Sequence, residues 1–273
     1  MDRRGQPSER ELSWLDASFL ADLSDDGRTL LLNEQGEGAG ESPVVYLRSV
    51  DGSPAVKLGS GLGRTMSPDG KWVLIEERSN AGRRPRLSVL PTGPGEVRQL
   101  DPGKFTDFGS GAWLPDSAGI VFSATLSDGG SHLYVQPLRA ASPRPIGPEG
   151  ARLSPGRAAS PDGKFAIGVR AGSVTPDPHR GEGEVRVIAG LSPADRVAQW
   201  TSDSQGLYCY RFQAGEISVF LLDLKTGHSR LWKQISTTDG GFNGFLRITP
   251  DGNTWAYSGR RVQSDLYLVD GLR

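Results

Sequence analysis

The chain has 273 residues, with 31 lysines and arginines against 32 aspartates and glutamates and a pI near 6.3. This balance creates no global field toward nucleic acid or an anionic membrane, so nucleic-acid binding is not expected. The 37 glycines and 19 prolines exceed ordinary usage, yet they punctuate the chain without forming low-complexity tracts. That distribution is typical of a turn-rich, all-β protein.

The first eight residues are polar and charged and are expected to be a flexible N-terminal segment. They contain no apolar core of a signal peptide, and no run of the sequence is long and apolar enough to span a bilayer. As written, the chain is therefore expected to be cytoplasmic and not inserted in a membrane. The next stretch, Glu9 to Leu15, reads as a strand that precedes the first complete repeat.

A four-residue turn followed by a short apolar strand occurs six times. In the clearest copy, Pro68 fixes φ at the second turn position, Asp69 accepts from backbone N–H groups, and Gly70 adopts a left-handed conformation. The aspartates at the third turn position are residues 26, 69, 116, 162, 203 and 251, separated by 43, 47, 46, 41 and 48 residues. These separations match or slightly exceed the length of a four-stranded propeller blade.

Residues 9–273 are therefore predicted to form a single six-bladed β-propeller of four-stranded antiparallel blades. The fourth repeat carries two prolines between Ser173 and Pro178, which predicts an irregular edge in place of its third strand. The sixth repeat stops at Arg273 after three strands. We expect Glu11 to Leu15 to pair with Asp265 to Val269, so that the N-terminal strand completes the last blade and closes the ring.

The repeated Ser-Pro-Asp-Gly-Lys turn, with its following apolar strand, resembles the TolB-type, WD-repeat-like β-propellers of bacteria. Residues 10–16, 46–56 and 264–269 are similar to the C-terminal propeller region of many bacterial eukaryote-like serine/threonine protein kinases. In such proteins a membrane span commonly separates kinase and propeller. The resemblance implies a sensor or docking module, which would be extracytoplasmic in a piece of a membrane-spanning kinase.

The sequence motifs that suggest catalysis occur without the companion motifs that the chemistry requires. Asp107-Phe108-Gly109 spells the magnesium-binding tripeptide of protein kinases, but the glycine-rich loop, strand lysine and catalytic loop of that chemistry are missing. No Gly-x-Ser-x-Gly elbow occurs, and His132, His179 and His228 have no metal-site spacing. We therefore expect no catalytic residues, metal or cofactor.

The alternative is a propeller enzyme of the lyase or lactonase kind, with polar groups converging on the central channel. A metal held by several side chains in the channel would favour that alternative. The remaining conspicuous residues have structural interpretations: Cys209 lies in an apolar strand and is expected to be a packed thiol. The six tryptophans lie in or beside predicted strands and are expected to pack between blades.

The face formed by the connections between second and third strands is the predicted binding face, because its loops are long and turn geometry does not dictate their residues. Those loops run from Glu34 to Ser42, Glu76 to Arg84, Ala124 to Ser131, Ala171 to Gly183, Arg211 to Glu216 and Gly259 to Ser264. They carry a candidate basic rim for a protein partner or an anionic small molecule: Arg78, Arg83, Arg84, Arg180, Arg211, Arg260 and Arg261. The alternative is a set of solvated charges offset by Glu34, Glu37, Glu41, Glu76 and Glu77.

Overall fold

The computed structural model describes residues 9–40, 42–77, 85–100, 104–139, 142–146, 149–170, 173–177, 188–192, 194–213, 215–237 and 241–259. These residues are β-structure almost throughout, with one short 3-10 helix, Glu37–Ala39. Within these ranges no helix has the length and apolar character needed to cross a membrane.

The strands form six antiparallel sheets that follow one another along the chain, each a meander in sequence order. The first sheet contains β1 Ser18–Leu23, β2 Thr29–Glu34, β3 Val44–Ser49 and β4 Val56–Ser60. The second contains β5 Leu62–Met66, β6 Trp72–Glu77, β7 Arg86–Pro91 and β8 Arg98–Gln99. The third contains β9 Phe105–Trp113, β10 Gly119–Leu126, β11 Ser131–Pro137 and β12 Arg144–Ile146.

The remaining three sheets continue the same order. The fourth contains β13 Arg152–Leu153, β14 Ala166–Arg170 and β15 Ser173–Asp177. The fifth contains β16 Arg196–Trp200, β17 Gly206–Gln213, β18 Glu216–Asp223 and β19 Ser229–Ser236. The sixth has two described strands, β20 Phe242–Ile248 and β21 Trp255–Gly259.

The predicted turns join the first and second strands of the sheets. In the second sheet the Gly70 amide donates to the Ser67 carbonyl at 2.8 Å, and Asp69 Oδ1 accepts from the Ser67 hydroxyl at 2.6 Å and from the Lys71 amide at 3.1 Å. Two turns have serine at the left-handed position, Ser117 with φ 57° and Ser204 with φ 59°. Each serine hydroxyl accepts the backbone amide of the turn aspartate in the preceding sheet, Asp69 or Asp162, at 3.1 Å. The turns therefore also tie neighbouring sheets together.

The first strands of the sheets lie side by side. β5 contacts β1 and β9, β13 contacts β9, and β20 contacts both β16 and β1. Indole N–H groups bridge two of the junctions, from Trp113 to the Thr65 carbonyl at 3.2 Å and from Trp200 to the Ala158 carbonyl at 3.1 Å. The first and last sheets are also adjacent, because the Leu20 amide donates to Ser258 Oγ at 2.7 Å.

The apolar core lies between neighbouring sheets. Leu74 of the second sheet packs with Phe122 of the third, and Tyr210 of the fifth packs with Leu246 of the sixth. All of these side chains are almost completely buried. Such inter-sheet burial is the dominant favourable contribution to folding, since removal of apolar surface from water is worth roughly 25 cal/mol per Å².

The prediction of an irregular edge in the fourth repeat was wrong for residues 173–177. These residues form β15, which pairs with β14 from Ala166↔Asp177 to Arg170↔Ser173. Pro176 lies opposite Ile167 on the outermost described strand of this sheet. A proline is tolerated on an outer strand because its missing N–H can face away from the ladder.

The N-terminal stretch packs beside the first sheet. Residues 9–14 have no assigned strand, but Leu12 and Trp14 pack against the apolar face of the first sheet and Ala256 of the sixth. Arg48 holds this stretch in two ways, with Nη1 donating to the Ser13 carbonyl at 2.7 Å and the guanidinium 5.1 Å from the centre of the Trp14 ring. The predicted partner strand, residues 265–269, lies outside the described residues, so ring closure by this pairing stays a prediction.

Candidate functional site

Of the seven arginines predicted to form a basic rim, the structure describes one, Arg211. The other six lie outside the described residues: Arg78, Arg83, Arg84, Arg180, Arg260 and Arg261. The rim as a whole therefore stays a prediction.

Arg211 lies within β17 and not in a loop. The connection to β18 consists of residues 214 and 215, so the predicted long loop from Arg211 to Glu216 is a tight hairpin. Its guanidinium forms a two-pronged ion pair with Asp195, with Nη2 3.1 Å from Oδ2 and a second contact from Nε to Oδ1. The hydrogen bond to Asp195 raises the pKa of Arg211. The interpretation of Arg211 as a free rim cation is thus corrected, because Asp195 balances its charge.

Two further predictions for this face are corrected. The third sheet has only residues 127–130 between β10 and β11, a short turn in which the Gly129 amide donates to the Leu126 carbonyl at 3.0 Å. The acidic residues Glu34 and Glu76 were counted as loop charges, but they are strand residues with 0% and 6% exposure. Glu34 accepts the Ser18 hydroxyl and Glu76 pairs with Arg64, so neither offsets a rim charge.

An exposed aromatic patch lies at the same end of the fifth and sixth sheets. We define it as the exposed Phe212 together with the half-buried Phe242 and Tyr257. Arg211 projects from the opposite face of β17, toward Asp195 and the ring of Phe220. Phe212 is 42% exposed, and its ring centre lies 5.3 Å from that of Phe242, which in turn lies 6.5 Å from that of Tyr257. The sequence signal was present but missed: Tyr208, Tyr210 and Phe212 alternate along one face of β17. The first two are buried, whereas Phe212 extends past the core.

A cluster of charged groups lies where the inner strands meet, which sequence reasoning also missed. At its centre is Asp22 of β1, only 1% exposed. Its Oδ2 atom accepts from the Thr65 hydroxyl at 2.7 Å and from the Met66 amide at 2.8 Å, and Oδ1 accepts from the Leu23 amide at 3.0 Å. Backbone and hydroxyl donors of two sheets thus stabilise a buried carboxylate.

Arg157 reaches this carboxylate from the fourth repeat. Its Nη2 atom donates to Asp22 Oδ2 at 3.3 Å and to the Leu23 carbonyl at 3.1 Å, and its Nη1 atom lies 2.8 Å from Asp25 Oδ1. Burial lowers the pKa of Arg157, but the two aspartates raise it by more, so the net shift is upward. Asp25 is half-buried, and burial raises its pKa despite the neighbouring guanidinium. Arg157 therefore has two carboxylate partners.

Arg247 of β20 is the second arginine of the cluster and is only 5% exposed. Its Nε atom donates to the Ala21 carbonyl at 2.9 Å, and Nη1 donates to the Leu246 carbonyl at 3.3 Å. Its nearest carboxylate oxygen, Asp22 Oδ1, lies 3.7 Å from Nε, beyond hydrogen-bond distance. Burial lowers the pKa of Arg247 by more than the attraction of Asp22 raises it, and repulsion from Arg157 acts in the same direction as burial. Arg247 is thus compensated less completely than Arg157.

One regularity in the sequence marks this cluster. Counting back two residues from the first residue of each turn gives a buried inner-strand position in every repeat. The six occupants are Asp22, Thr65, Ala112, Ala158, Gln199 and Arg247. Four of these residues are small or neutral, and two, Asp22 and Arg247, are charged. Charged residues at this buried position are the sequence signal by which the cluster could have been found.

The other residues singled out in the sequence have ordinary surroundings. Asp107-Phe108-Gly109 lies within β9, with Phe108 buried in the core and Asp107 exposed opposite Thr125. His132 lies in β11, 6.2 Å from the ring of Tyr134, and His179 lies outside the described residues. The described ranges contain no group of three or more histidine, cysteine, aspartate or glutamate side chains arranged to hold a metal.

Cys209 and the tryptophans pack as expected. Cys209 is buried in the core, and burial raises the pKa of its thiol to about 12. Trp113 and Trp200 are buried, and the other four tryptophans pack at the edges of core clusters: Trp14, Trp72, Trp232 and Trp255.

Comparison with known proteins gives structural similarity only. No protein-family model matches the chain, and no curated protein matches it by sequence. A putative TolB from Agrobacterium tumefaciens is 20% identical with a TM-score of 0.64, over 88% of each chain. TolB from Acinetobacter baumannii is 17% identical with a TM-score of 0.65, over 87% of this chain and 59% of that one. An oligogalacturonate lyase in complex with manganese is 15% identical with a TM-score of 0.61, over 89% of this chain and 71% of that one.

At these identities the similarity concerns architecture and does not extend to activity. The successive antiparallel meanders, their adjacent inner strands and the Asp-containing turns agree with it. The chain therefore has the fold of a TolB-type β-propeller.

Proposed function

We propose that this chain is a non-catalytic, six-bladed binding scaffold that docks a protein partner through its aromatic patch. The observation that carries the proposal is the exposure of Phe212, which is 42% exposed and packs against the ring of Phe242 at the end of two packed sheets. Aromatic and arginine side chains dominate the energetics of protein–protein interfaces.

The strand pair that carries Phe212 is regular. β17 and β18 pair without a register shift from Gly206↔Asp223 to Gln213↔Glu216, and the ring of Phe242 lies 5.8 Å from that of the fully buried Tyr210. A partner would therefore lose little binding free energy to ordering of the scaffold. This placement agrees with the general role of propellers that present a binding surface on a fixed framework.

The opposite face supports recognition less well. Its turn aspartates are engaged within their own turns, as when Asp251 Oδ1 accepts from the Thr249 hydroxyl at 2.5 Å and from the Asn253 amide at 3.0 Å. The same pattern recurs at Asp203 with Thr201 and Gln205. Turn geometry thus accounts for these side chains.

A propeller enzyme is the second candidate, because an oligogalacturonate lyase is among the similar structures. The central cluster favours the scaffold, since Asp22 and Arg157 hydrogen-bond to each other and to backbone groups in place of converging on open space. The discriminating assay is release of unsaturated products from polygalacturonate with and without Mn²⁺. The scaffold proposal expects no turnover above a boiled control, and metal-dependent turnover would overturn it.

A sensory role within a kinase-type signalling protein is the finer form of the proposal. This more specific proposal includes the basic rim, with an acidic peptide segment or an anionic small molecule as its ligand. It also includes an extracytoplasmic location for the propeller. An upstream kinase domain in the natural reading frame would support the role. The chain itself is expected to transfer no phosphate, so a labelled-nucleotide assay should give background signal in both the natural chain and Asp107→Ala.

The docking surface is tested by capture of a partner with substituted baits. Phe212→Ala should weaken retention of whatever protein the natural chain captures, by roughly tenfold or more for an interface hot spot. Leu231→Ala is the matched control, because Leu231 is 52% exposed on the outer strand β19 of the same sheet. Retention that falls equally in the control, or falls in none of the variants, would contradict the proposal.

A further inference from the structure

We propose that the outer edge of β19, from residue 233 to residue 236, binds an extended acidic segment of a partner protein as an additional strand. β19 is the last strand of the fifth sheet, and no described strand pairs with its outer side. It has eight residues, whereas the last described strands of the first four sheets, β4, β8, β12 and β15, have two to five. A long outer strand offers backbone groups with which another strand can pair.

The hydrogen bonding of β19 indicates which of its backbone groups face outward. The Thr237 amide donates to the Gly215 carbonyl at 3.0 Å, and the three preceding residues continue the pairing with β18. Bonded and non-bonded positions alternate along an antiparallel pair. Ile235 therefore bonds to β18, whereas the amides and carbonyls of Gln234 and Ser236 face outward. Their side chains are exposed, and that of Ile235 is buried.

An irregularity in β19 sets the lower limit of this edge. The register with β18 shifts between Val219 and Phe220, which leaves Trp232 without an opposite residue. Such a bulge twists an outer strand and interrupts its regular edge. The proposed site therefore begins after Trp232, and the exposed Leu231 lies outside it.

The charges around the edge favour an acidic occupant. Residues 224–238 contain no aspartate or glutamate, but they include Lys225, His228, Arg230 and Lys233. Lys233 is half-buried, with Nζ 3.7 Å from the centre of the Trp255 ring. Among the described residues no carboxylate forms an ion pair with Lys233 or Arg230. Carboxylates of a bound strand would complement these two cations.

An acidic neighbour limits where those carboxylates can lie. Glu216 is exposed and pairs with Ser236 at the end of the edge. We therefore expect the acidic side chains of the segment to lie toward Lys233 and not beside Ser236. The Phe212 patch is not part of this surface, so a chain that binds the segment but captures no protein through the patch would keep this inference and lose the docking proposal.

The test uses the full chain and three labelled octapeptides, compared by fluorescence anisotropy. One alternates glutamate and valine, the second is the same peptide N-methylated along its backbone, and the third alternates lysine and valine. We expect the first to bind and each of the others to bind roughly tenfold more weakly or worse, because they lack the backbone hydrogen bonds or the complementary charge.

Two variants locate the binding on β19. Gln234→Pro should weaken binding of the glutamate peptide, because proline removes an outward amide that an outer strand can lose without breaking its own ladder. Lys233→Met should weaken it as well and reduce its salt dependence. Lys57→Met is the matched control, at an exposed lysine of the outer strand β4, and should leave the affinity unchanged.

The proposal would be overturned by absence of binding of the glutamate peptide, by equal binding of either other peptide, or by equal weakening in Lys57→Met. Unchanged affinity in both β19 variants would also contradict it. If Gln234→Pro does not fold, the N-methylated peptide decides whether backbone hydrogen bonds carry the binding. A dimer in sedimentation that Gln234→Pro dissociates would assign the edge to a second copy of this chain and overturn the acidic partner.

Discussion

The Nη2 atom of Arg157 lies 3.3 Å from the Oδ2 atom of Asp22, and the two residues are 135 positions apart in the sequence. Asp22 belongs to the first sheet and Arg157 to the fourth repeat, so this contact joins two repeats that are not neighbours in the chain. The contact also brings an aspartate that is 1% exposed together with an arginine whose side chain is 12% exposed.

The first prediction concerns this pair. Asp22→Ala should lower the free energy of unfolding by about 3–5 kcal/mol, because Arg157 and the Thr65 hydroxyl lose their acceptor and the buried Arg247 loses its nearest carboxylate. Arg157→Met should cost less, since Asp22 keeps its backbone donors and Arg247. Urea unfolding of both single variants and the double variant measures the coupling, with Arg230→Met as the exposed control. Additive losses would show that the pair contributes no interaction energy.

The second prediction compares two glycines with the same backbone conformation. Gly70 has φ 69° with no atom within 4 Å of a built Cβ, whereas Gly252 has φ 75° with Tyr208 Oη only 2.6 Å from that position. Gly70→Ala should therefore cost about 1–2 kcal/mol for the left-handed conformation alone. Gly252→Ala should cost about 1–3 kcal/mol more, because Tyr208 must move. Equal midpoints and slopes in urea for the two variants would rule out this explanation.

The third prediction concerns acid stability. Hydrogen bonds from Thr201 and Thr249 lower the pKa values of Asp203 and Asp251 below 3.8. A depressed folded-state pKa contributes stability that is fully present above the unfolded value and is lost as pH falls through the folded value, so stability should decline below pH 3.8. Thr249→Val should raise the pKa of Asp251 toward 3.8 and leave that of Asp203 unchanged in a carboxyl NMR titration. A shift of both, or of neither, would contradict the assignment.

The fourth prediction concerns the N-terminal stretch. A chain beginning at Ser18 should be less stable, because Leu12 and Trp14 no longer cover the first sheet and Arg48 loses the Ser13 carbonyl. Trp14 burial alone should contribute about 2 kcal/mol. Trp14→Ala in the full chain is the matched variant, and Glu11→Ala, at an exposed residue of the same stretch, is the control. A shortened chain that melts at the same temperature as the full chain would disprove the packing role and the closure model together.

The turns and their following strands could be predicted because they depend on local rules. Ser67-Pro68-Asp69-Gly70 needs only its own side chains and backbone to form its turn. The fourth repeat was mispredicted because the cost of Pro176 depends on whether its strand is internal or outermost, which is a tertiary property. Likewise, the exact strand ends at Leu126 and Gln213 are set by cross-strand pairing, so two predicted loops became short turns.

The charged residues also divide into features that the local sequence predicts and features that depend on tertiary contacts. The sequence identified Arg211 by its positive charge. Its partner Asp195 lies directly before the inner strand β16, and the spacing of the two residues does not predict their ion pair. Arg157 shares its position in the repeats with no other charged residue of the cluster, whereas Arg247 was overlooked although it shares with Asp22 the position two residues before the turn. Only the meeting of the first, fourth and sixth repeats explains why these charges are there.

The central cluster also bears on how the chain acquires its structure. Asp22 is made before its partners Thr65, Arg157 and Arg247, which lie 43 to 225 residues further along the chain. Contacts of such sequence separation form slowly, because the loop-closure entropy must be overcome before they form. Thr65 and Met66 of the second repeat can satisfy the Asp22 carboxylate first, whereas Arg157 and Arg247 can join it only after the fourth and sixth repeats have been synthesised, so the charged cluster is completed later than the sheets that hold its aspartate.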